Sequence, residues 1–107
     1  MGYWLLLSGR ACYCVLLMAT LVRWSESGVY FFRAGSLVKI GCSRILSSRI
    51  EALRHNFGGD LFAVEPCLPH EIYAAERRRH RQFARFRQHD EWFTWRPVYR
   101  VISQEME

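Results

Sequence analysis

Tyr30 and Lys39 are the first residues of the chain whose types and spacing could support chemistry. They lie in two short runs of β-branched and aromatic residues that flank Ala34-Gly35, a pattern typical of a β-hairpin. With those two residues as the loop, Tyr30 lies directly opposite Lys39, about 5 Å away between Cβ atoms. A neighbouring ammonium favours the phenolate of a tyrosine, which is otherwise a poor base at neutral pH. A three-residue loop with a bulge would shift the pairing by one residue and separate the two side chains.

The predicted hairpin also divides its side chains between two faces, because side chains alternate along a strand. One face carries an apolar set suited to a core: Val29, Phe31, Val38 and Ile40. The opposite face carries Tyr30, Phe32, Leu37 and Lys39. Lys39 is the only lysine among the fifteen lysine and arginine residues, which favours a specific role for it beside the tyrosine.

Arg49 lies within the apolar stripe of a predicted helix. That helix begins after an N-cap at Ser43 and runs to about Asn56, and its helically spaced apolar residues are Ile45, Leu46, Ile50, Leu53 and Phe57. An arginine in such a stripe requires an anionic partner, from the protein or from a ligand, unless its long side chain reaches past the stripe to solvent.

Glu76 occupies the same kind of position in a second predicted helix, at about residues 70–87. It falls in the middle of a narrow sector formed by Ile72, Arg79, Phe83 and Phe86. A carboxylate among such neighbours is costly unless it is paired or binds a metal. Two interpretations follow: an ion pair with Arg49, or a ligand of Mg²⁺, a hard cation that a single carboxylate can hold together with waters and a substrate phosphate.

These residues resemble the motifs of a known family, the GIY-YIG nucleases. Gly28-Val29-Tyr30 corresponds to the first triplet of that family, and Lys39-Ile40-Gly41 to the second in its Lys variant. Arg49 follows Lys39 at the spacing at which the family has its arginine.

The likeness extends to the second helix and is similar to the short branch found in meiotically up-regulated and bacteriophage DNA-binding proteins. Glu76-x-x-x-His80-x-x-Phe83 resembles the E-x-x-L-H-x-x-F signature of that branch, and Glu91-Trp92-Phe93 matches the EWF that follows it. The resemblance covers about residues 28–102. Arg79 departs from it, because the branch has leucine at that position.

The resemblance implies an endonuclease that hydrolyses DNA phosphodiester bonds with Mg²⁺ or Mn²⁺. Tyr30 would take the proton from the attacking water, directly or through a relay, and Lys39 would lower the pKa of Tyr30. Arg49 would contact the scissile phosphate and stabilise the charge that grows in the transition state. Glu76 would hold the metal ion. His80 would orient a water or that carboxylate, or make a plain structural hydrogen bond.

Four arginines occupy the opposite face of the second helix: Arg77, Arg78, Arg81 and Arg85. The formal charge of +5 and the isoelectric point near 9.4 favour an anionic partner. The arginines predict contacts to a DNA backbone, which give salt-sensitive affinity without sequence preference. A solvated helix face explains the same pattern.

The remaining pattern completes a small α+β domain. Residues 61–67 predict a third strand beside the hairpin, bounded by Pro66 and Pro69. The expected fold is a three-stranded antiparallel sheet flanked by helices, of the GIY-YIG endonuclease type, at residues 28–103 with a tail at 104–107. A chain of 107 residues has room for one such domain.

Residues 1–27 differ from the rest and predict a hydrophobic extension outside the domain. The apolar run at residues 11–22 is shorter than the roughly 20 residues that span a bilayer, and no clear signal-cleavage site follows it. The cysteines, Cys12, Cys14, Cys42 and Cys67, lack zinc-site spacing and fit a reducing compartment. The expected location is therefore cytoplasmic, with nucleoid association as one form of it.

Two other functions stay open at this point. One is a DNA-binding module of the same fold that does not cut. The other is a membrane-associated protein in which residues 1–22 anchor a basic domain to anionic lipid. The pattern predicts no small-molecule cofactor and no particular oligomeric state.

Overall fold

The computed structural model of the protein describes the backbone of residues 5–6 and the whole of residues 27–107. The strands are β1 (Leu5–Leu6), β2 (Gly28–Ala34), β3 (Leu37–Ser43), β4 (Asp60–Pro66), β5 (Arg87–His89) and β6 (Trp92–Thr94). The α-helices are α1 (Leu46–Phe57), α2 (Ile72–Gln82) and α3 (Trp95–Glu105). Short 3₁₀ turns at Pro69–Glu71 and Ala84–Phe86 flank α2.

The described strands form one sheet in the order β1-β4-β2-β3-β6-β5, and neighbouring strands are antiparallel. The α+β class is confirmed, but the predicted three-stranded sheet is wrong, because β6 and β5 extend it beyond β3 and β1 extends it beyond β4. Strands β5 and β6 have three residues each, too few for an alternating pattern to be visible in the sequence. Asp90, with φ 47°, lies in the turn between them. The helix predicted to run to about residue 87 ends at Gln82.

The β2–β3 hairpin forms with a different register from the predicted one. Its loop is Gly35-Ser36, so Ala34 pairs with Leu37 and Tyr30 pairs with Gly41. Gly35 has φ 65°, which the first loop position of a tight hairpin turn requires and glycine adopts without strain. The predicted pairing of Tyr30 with Lys39 is therefore wrong, and Lys39 lies opposite Phe32.

The division of the hairpin into two faces is confirmed, because the register moved without exchanging the faces. One face buries Val29, Phe31, Val38 and Ile40 in a core shared with residues of α2 and α3: Ala75, Val98 and Ile102. The other face buries Tyr30 and Phe32 against α1, with Leu46, Ile50 and Leu53. The sheet thus separates α1 from α2 and α3.

Arg79 joins three elements on the α2 and α3 side of the sheet. Its guanidinium donates to Glu65 of β4 at 3.0 Å, and to both carboxylate oxygens of Glu105 of α3 at 2.9 Å. Gln82 accepts a further hydrogen bond from it at 2.8 Å. This cluster, which we call the Arg79 clamp, holds α3 through Glu105 against α2 and shows how the fold accommodates an arginine at this position of α2. Among the described helices, none has the length and apolar character needed to cross a membrane.

Candidate functional site

Tyr30 lies in β2 with its side chain fully buried against α1. Its hydroxyl lies over Gly41, its partner across the hairpin, so closely that a Cβ at Gly41 would overlap the phenol. A glycine at this position of the second triplet is therefore needed for the ring to fit. The Oη of Tyr30 has no hydrogen-bond partner within the described part of the chain, which is uncommon for a buried polar atom.

The environment of Tyr30 favours its neutral form. Burial raises the pKa of Tyr30 to about 12, and the charges of Glu91 and Glu76 act in the same direction. The Arg49 guanidinium lies close enough to the hydroxyl to oppose this shift in part. The prediction that the site lowers the pKa of Tyr30 is wrong, because burial outweighs the one cation beside it.

Arg49 is exposed and lies in the first half of α1, on the side that approaches Tyr30. It forms no ion pair with any residue that the structure describes. A shallow groove of about 340 Å³ borders it, lined by Ser43, Arg44, Ile45, Ser48, Arg49 and Ala52. An anion that entered this groove would therefore meet a guanidinium with no carboxylate partner.

Glu76 is half-buried on α2 and lies beside Cys42 of β3. Burial raises the pKa of Cys42 to about 12, with further contributions from the negative charge of Glu76 and from a thiol hydrogen bond to it. Glu76 also makes a small contribution to the raised pKa of Tyr30 through its negative charge. Within the described residues Glu76 has no ion pair, so the alternative interpretation, a salt bridge to Arg49, is not what the structure contains.

These side chains come from both faces of the sheet, whose β3 strand has an open edge beside them. Strand β6 pairs only with positions 37–39 of β3, and the last bond between the two segments runs from the Ile40 amide to the Glu91 carbonyl at 3.0 Å. Beyond Ile40, no described strand covers this edge of β3. Within the described chain, the β3 edge between the face that carries α1 and the face that carries α2 is therefore unpaired along this part of the strand.

Lys39 is directed to a different partner from the predicted one. Its Nζ forms an ion pair with Glu91 Oε1 at 3.1 Å and lies 5.6 Å from the centre of the Trp92 ring. Glu91 is near enough to Tyr30 and Cys42 to raise the pKa of both. Sequence reasoning missed Glu91 as a site residue, although the EWF match was a signal for it. We call Tyr30, Arg49, Glu76 and the Lys39–Glu91 pair the candidate site.

His80 lies one turn after Glu76 on α2 and binds the sheet. Its Nε2 is 2.7 Å from the Ile40 carbonyl oxygen, so this nitrogen carries the proton and donates. Its Nδ1 then accepts from Arg87 at 3.3 Å, and the ring packs against Phe93 at 5.3 Å between centres. His80 thus ties α2 to β3 within the site. A structural hydrogen bond was one of the two roles predicted for His80 from the sequence, and the bond to Ile40 is of this kind.

The four arginines predicted to contact DNA are all exposed: Arg77, Arg78, Arg81 and Arg85. Within the described chain none of them forms an ion pair. Arg78 and Arg81 line a second groove, of about 450 Å³, together with residues of the Arg79 clamp. The arrangement leaves this face positively charged, and its contact with DNA stays a prediction.

The oxygen donors of the candidate site suit a hard cation. The described residues contain no cluster of three or more His, Cys, Asp or Glu side chains in metal-binding geometry. A cation here would have Glu76 as its protein ligand, with Glu91 as the nearest second carboxylate. Mg²⁺ is commonly held by one or two carboxylates, waters and substrate phosphate. The Cys42 thiol, whose pKa is about 12, stays protonated at neutral pH and is a poor ligand.

The fold and this edge define a small α+β protein with a polar site open to an anion. A scan against protein-family models matches the T5orf172 domain at residues 27–105. The chain therefore belongs to the T5orf172 domain family, a phage-related family of nuclease-like and DNA-binding character that is related to the GIY-YIG nucleases. Searches of curated proteins and of solved structures found no match.

Proposed function

We propose that the protein is a metal-dependent endonuclease that hydrolyses DNA phosphodiester bonds at the candidate site. The observation that carries the proposal is the buried Tyr30 hydroxyl, which has no hydrogen-bond partner among the described residues and whose pKa is influenced by the charges of Arg49 and Glu76. A phenol, a guanidinium and a carboxylate at one open edge supply a contact for water, for phosphate and for a cation. The family match supports a nuclease or DNA-binding role without deciding between them.

In this mechanism a water attacks the phosphorus while the bond from phosphorus to the leaving 3′ oxygen breaks. Tyr30 Oη holds the attacking water, and the minor phenolate form of Tyr30 receives its proton, directly or through a relay, and later releases it to solvent. Since the neutral phenol predominates with a pKa of about 12, we expect cleavage to become faster as the pH rises. The 3′ oxygen takes a proton from solvent as it leaves.

Arg49 and Glu76 have complementary roles around the phosphate. The guanidinium of Arg49 binds two phosphate oxygens and stabilises the negative charge that develops on them. Glu76 would hold Mg²⁺ or Mn²⁺ through its carboxylate, and such an ion would supply Lewis-acid stabilisation of the negative charge that develops during hydrolysis. Lys39 keeps Glu91 in place at the rim, and His80 fixes α2 so that Glu76 points to this edge.

The four exposed arginines of α2 hold the DNA by its backbone beside the site. Contacts of this kind position the duplex and carry no sequence information. They make binding weaker as salt increases, because each neutralised phosphate releases counterions. The proposal therefore predicts cleavage with little sequence preference and strong sensitivity to salt.

Nicking of supercoiled plasmid in the presence of Mg²⁺ tests this function. Wild-type protein should relax the plasmid, and Glu76→Gln should reduce the rate by about a hundredfold or more because it removes the metal ligand. Glu51→Gln is the matched control, because Glu51 is an exposed carboxylate on α1 outside the candidate site. Equal nicking by both variants and the wild type would assign the activity to a contaminant.

A second candidate function is a DNA-binding module that does not cut. Two observations favour it: the pKa of Tyr30 is raised rather than lowered, and the ammonium of Lys39 is engaged by Glu91. Under this alternative the wild type binds plasmid but leaves it supercoiled with Mg²⁺ and with Mn²⁺. The same assay therefore separates the two functions.

A further inference from the structure

A cluster of aromatic side chains on α3 lies outside the candidate site. Trp95 and Tyr99, one turn apart on α3, have ring centres 5.2 Å apart. Phe62 of β4 packs against both, at 4.9 Å from Trp95 and 5.6 Å from Tyr99. Phe62 is buried, whereas Tyr99 leaves 45% of its surface exposed. The cluster thus has a buried base and an aromatic ring open to solvent.

Arg33 extends this cluster from the end of β2. Its guanidinium carbon lies 4.4 Å from the centre of the Trp95 ring, in a cation–π contact. Its Nε donates to the Gly35 carbonyl at 3.0 Å, which fixes the side chain over the ring. Arg33 nevertheless remains exposed and forms no ion pair with a described residue. A held, exposed guanidinium is well placed to bind phosphate.

Two further arginines follow on α3 itself, Arg96 and Arg100. They are separated by one helical turn, are exposed, and likewise form no ion pair within the described chain. Two acidic residues on the same elements are engaged elsewhere: Asp60, which lies opposite Arg33 in the sheet, pairs with Arg54, and Glu105 of α3 belongs to the Arg79 clamp. The surface therefore combines an exposed aromatic ring with three arginines whose charges are not neutralised.

We propose that Arg33, Trp95, Arg96, Tyr99 and Arg100, which we call the α3 platform, bind a single-stranded segment of nucleic acid. An unpaired base stacks on the Tyr99 ring, and the arginines contact the adjoining phosphates. Aromatic stacking of this kind requires a base with a free face, which a duplex does not offer. The inference rests on the proposed function, since it takes DNA as the partner, and it names substrates that carry single strands, such as flaps or branches.

Binding of a fluorescently labelled twelve-nucleotide oligothymidine to the full chain, in the presence of a chelator, tests the platform without cleavage. Tyr99→Ala should weaken this binding by about tenfold, since loss of stacking on one base has an effect of that order. A blunt duplex of similar charge should bind both proteins equally. Tyr73→Ala is the matched control, because Tyr73 is 55% exposed on α2 and outside the platform.

Two more variants keep the result decisive. Tyr99→Phe retains the ring and should bind as the wild type does, whereas Tyr99→Leu retains apolar packing without the ring and should bind as weakly as Tyr99→Ala. If Tyr99→Ala does not fold, Tyr99→Leu carries the test. Oligothymidine binding that is equal for Tyr99→Leu, Tyr73→Ala and wild type would overturn the platform.

The outcome is independent of the nicking assay. If binding depends on Tyr99 but the protein does not nick plasmid, the α3 platform is supported and the endonuclease proposal is overturned. If the protein nicks plasmid but its oligothymidine binding does not depend on Tyr99, the endonuclease proposal is supported and the α3 platform is overturned.

Discussion

The candidate site and the Arg79 clamp begin from the same sequence feature and end differently. Arg49, Glu76 and Arg79 are all charged residues that fall within the apolar stripe of a helix. Arg79 is paired inside the protein with Glu65 and Glu105. Arg49 and Glu76 form no ion pair within the described residues. A charge in an apolar stripe is thus not evidence of function by itself, and the presence or absence of an internal partner distinguishes the two cases.

The Arg79 clamp and the candidate site also differ in their electrostatic environments. At the clamp, burial lowers the pKa of Arg79, but the hydrogen bonds to Glu105 and Glu65 outweigh it and the pKa is raised overall. The guanidinium of Arg79 in turn lowers the pKa of Glu105. At the candidate site burial raises the pKa of Tyr30, and the nearby Arg49 guanidinium offsets this only in part. The Arg79 clamp is stable with its residues charged. The Tyr30 phenol, in contrast, is kept neutral by burial, and a ligand that contacts its hydroxyl can change its protonation state.

The largest effect that we expect is on cleavage in Tyr30→Phe. Removal of the group that receives the proton should reduce the single-turnover rate of plasmid nicking by about a hundredfold to ten-thousandfold. The free energy of unfolding should change little or rise, because the lost hydroxyl has no hydrogen-bond partner among the described residues. Normal cleavage by Tyr30→Phe would show that Tyr30 serves only to pack the core, a purely structural role like that of Arg79.

The next effect is on stability, in Arg79→Ala. Its loss leaves Glu65, whose side chain is 14% exposed, without its cation, and should lower the free energy of unfolding by about 2 to 4 kcal/mol. Urea denaturation measures this, with Arg81→Ala as the control on an exposed position of the same helix. Equal free energies of unfolding for Arg79→Ala and Arg81→Ala would show that the Arg79 clamp does not stabilise the fold.

A smaller effect is the dependence of stability on alkaline pH. The pKa of Tyr30 is raised from its ordinary value of 10 to about 12 in the fold, so the folded state retains a proton that the unfolded chain releases. The resulting contribution to stability is fully present below about pH 10 and is lost as the pH rises towards 12. Its upper limit is about 2 to 3 kcal/mol, the equivalent of a two-unit pKa difference. Denaturation of wild type and Tyr30→Phe as a function of pH should show the wild-type stability falling away below that of the variant across this interval, and parallel curves would contradict the shift.

Sequence patterns predicted the parts of this molecule that depend on local spacing. The two faces of the β2–β3 hairpin followed from alternation, and α1 was expected within a few residues of its observed bounds. The convergence of Tyr30, Arg49 and Glu76 that the resemblance implied stays a prediction, although the charges of Arg49 and Glu76 both influence the pKa of Tyr30. Their roles stay predictions.

The rest depended on features that spacing does not encode. The hairpin register depends on whether Gly35 takes the first or the second position of the loop. The prediction placed Gly35 second, whereas the structure has it first, so Lys39 does not lie opposite Tyr30. The pairing of Lys39 with Glu91 requires the β6 strand, which is too short to predict. The pKa of Tyr30 depends on how deeply tertiary packing buries it, a quantity that no local pattern contains.

A double-mutant cycle of Tyr30→Phe and Glu76→Gln, measured as single-turnover rates of plasmid nicking with Mg²⁺, tests the central claim most directly. If the two side chains act on one phosphate, each single variant should lose about a hundredfold or more, and the double variant should lose little beyond the worse single. Losses that multiply in the double variant would place the two residues in independent roles and contradict a shared site.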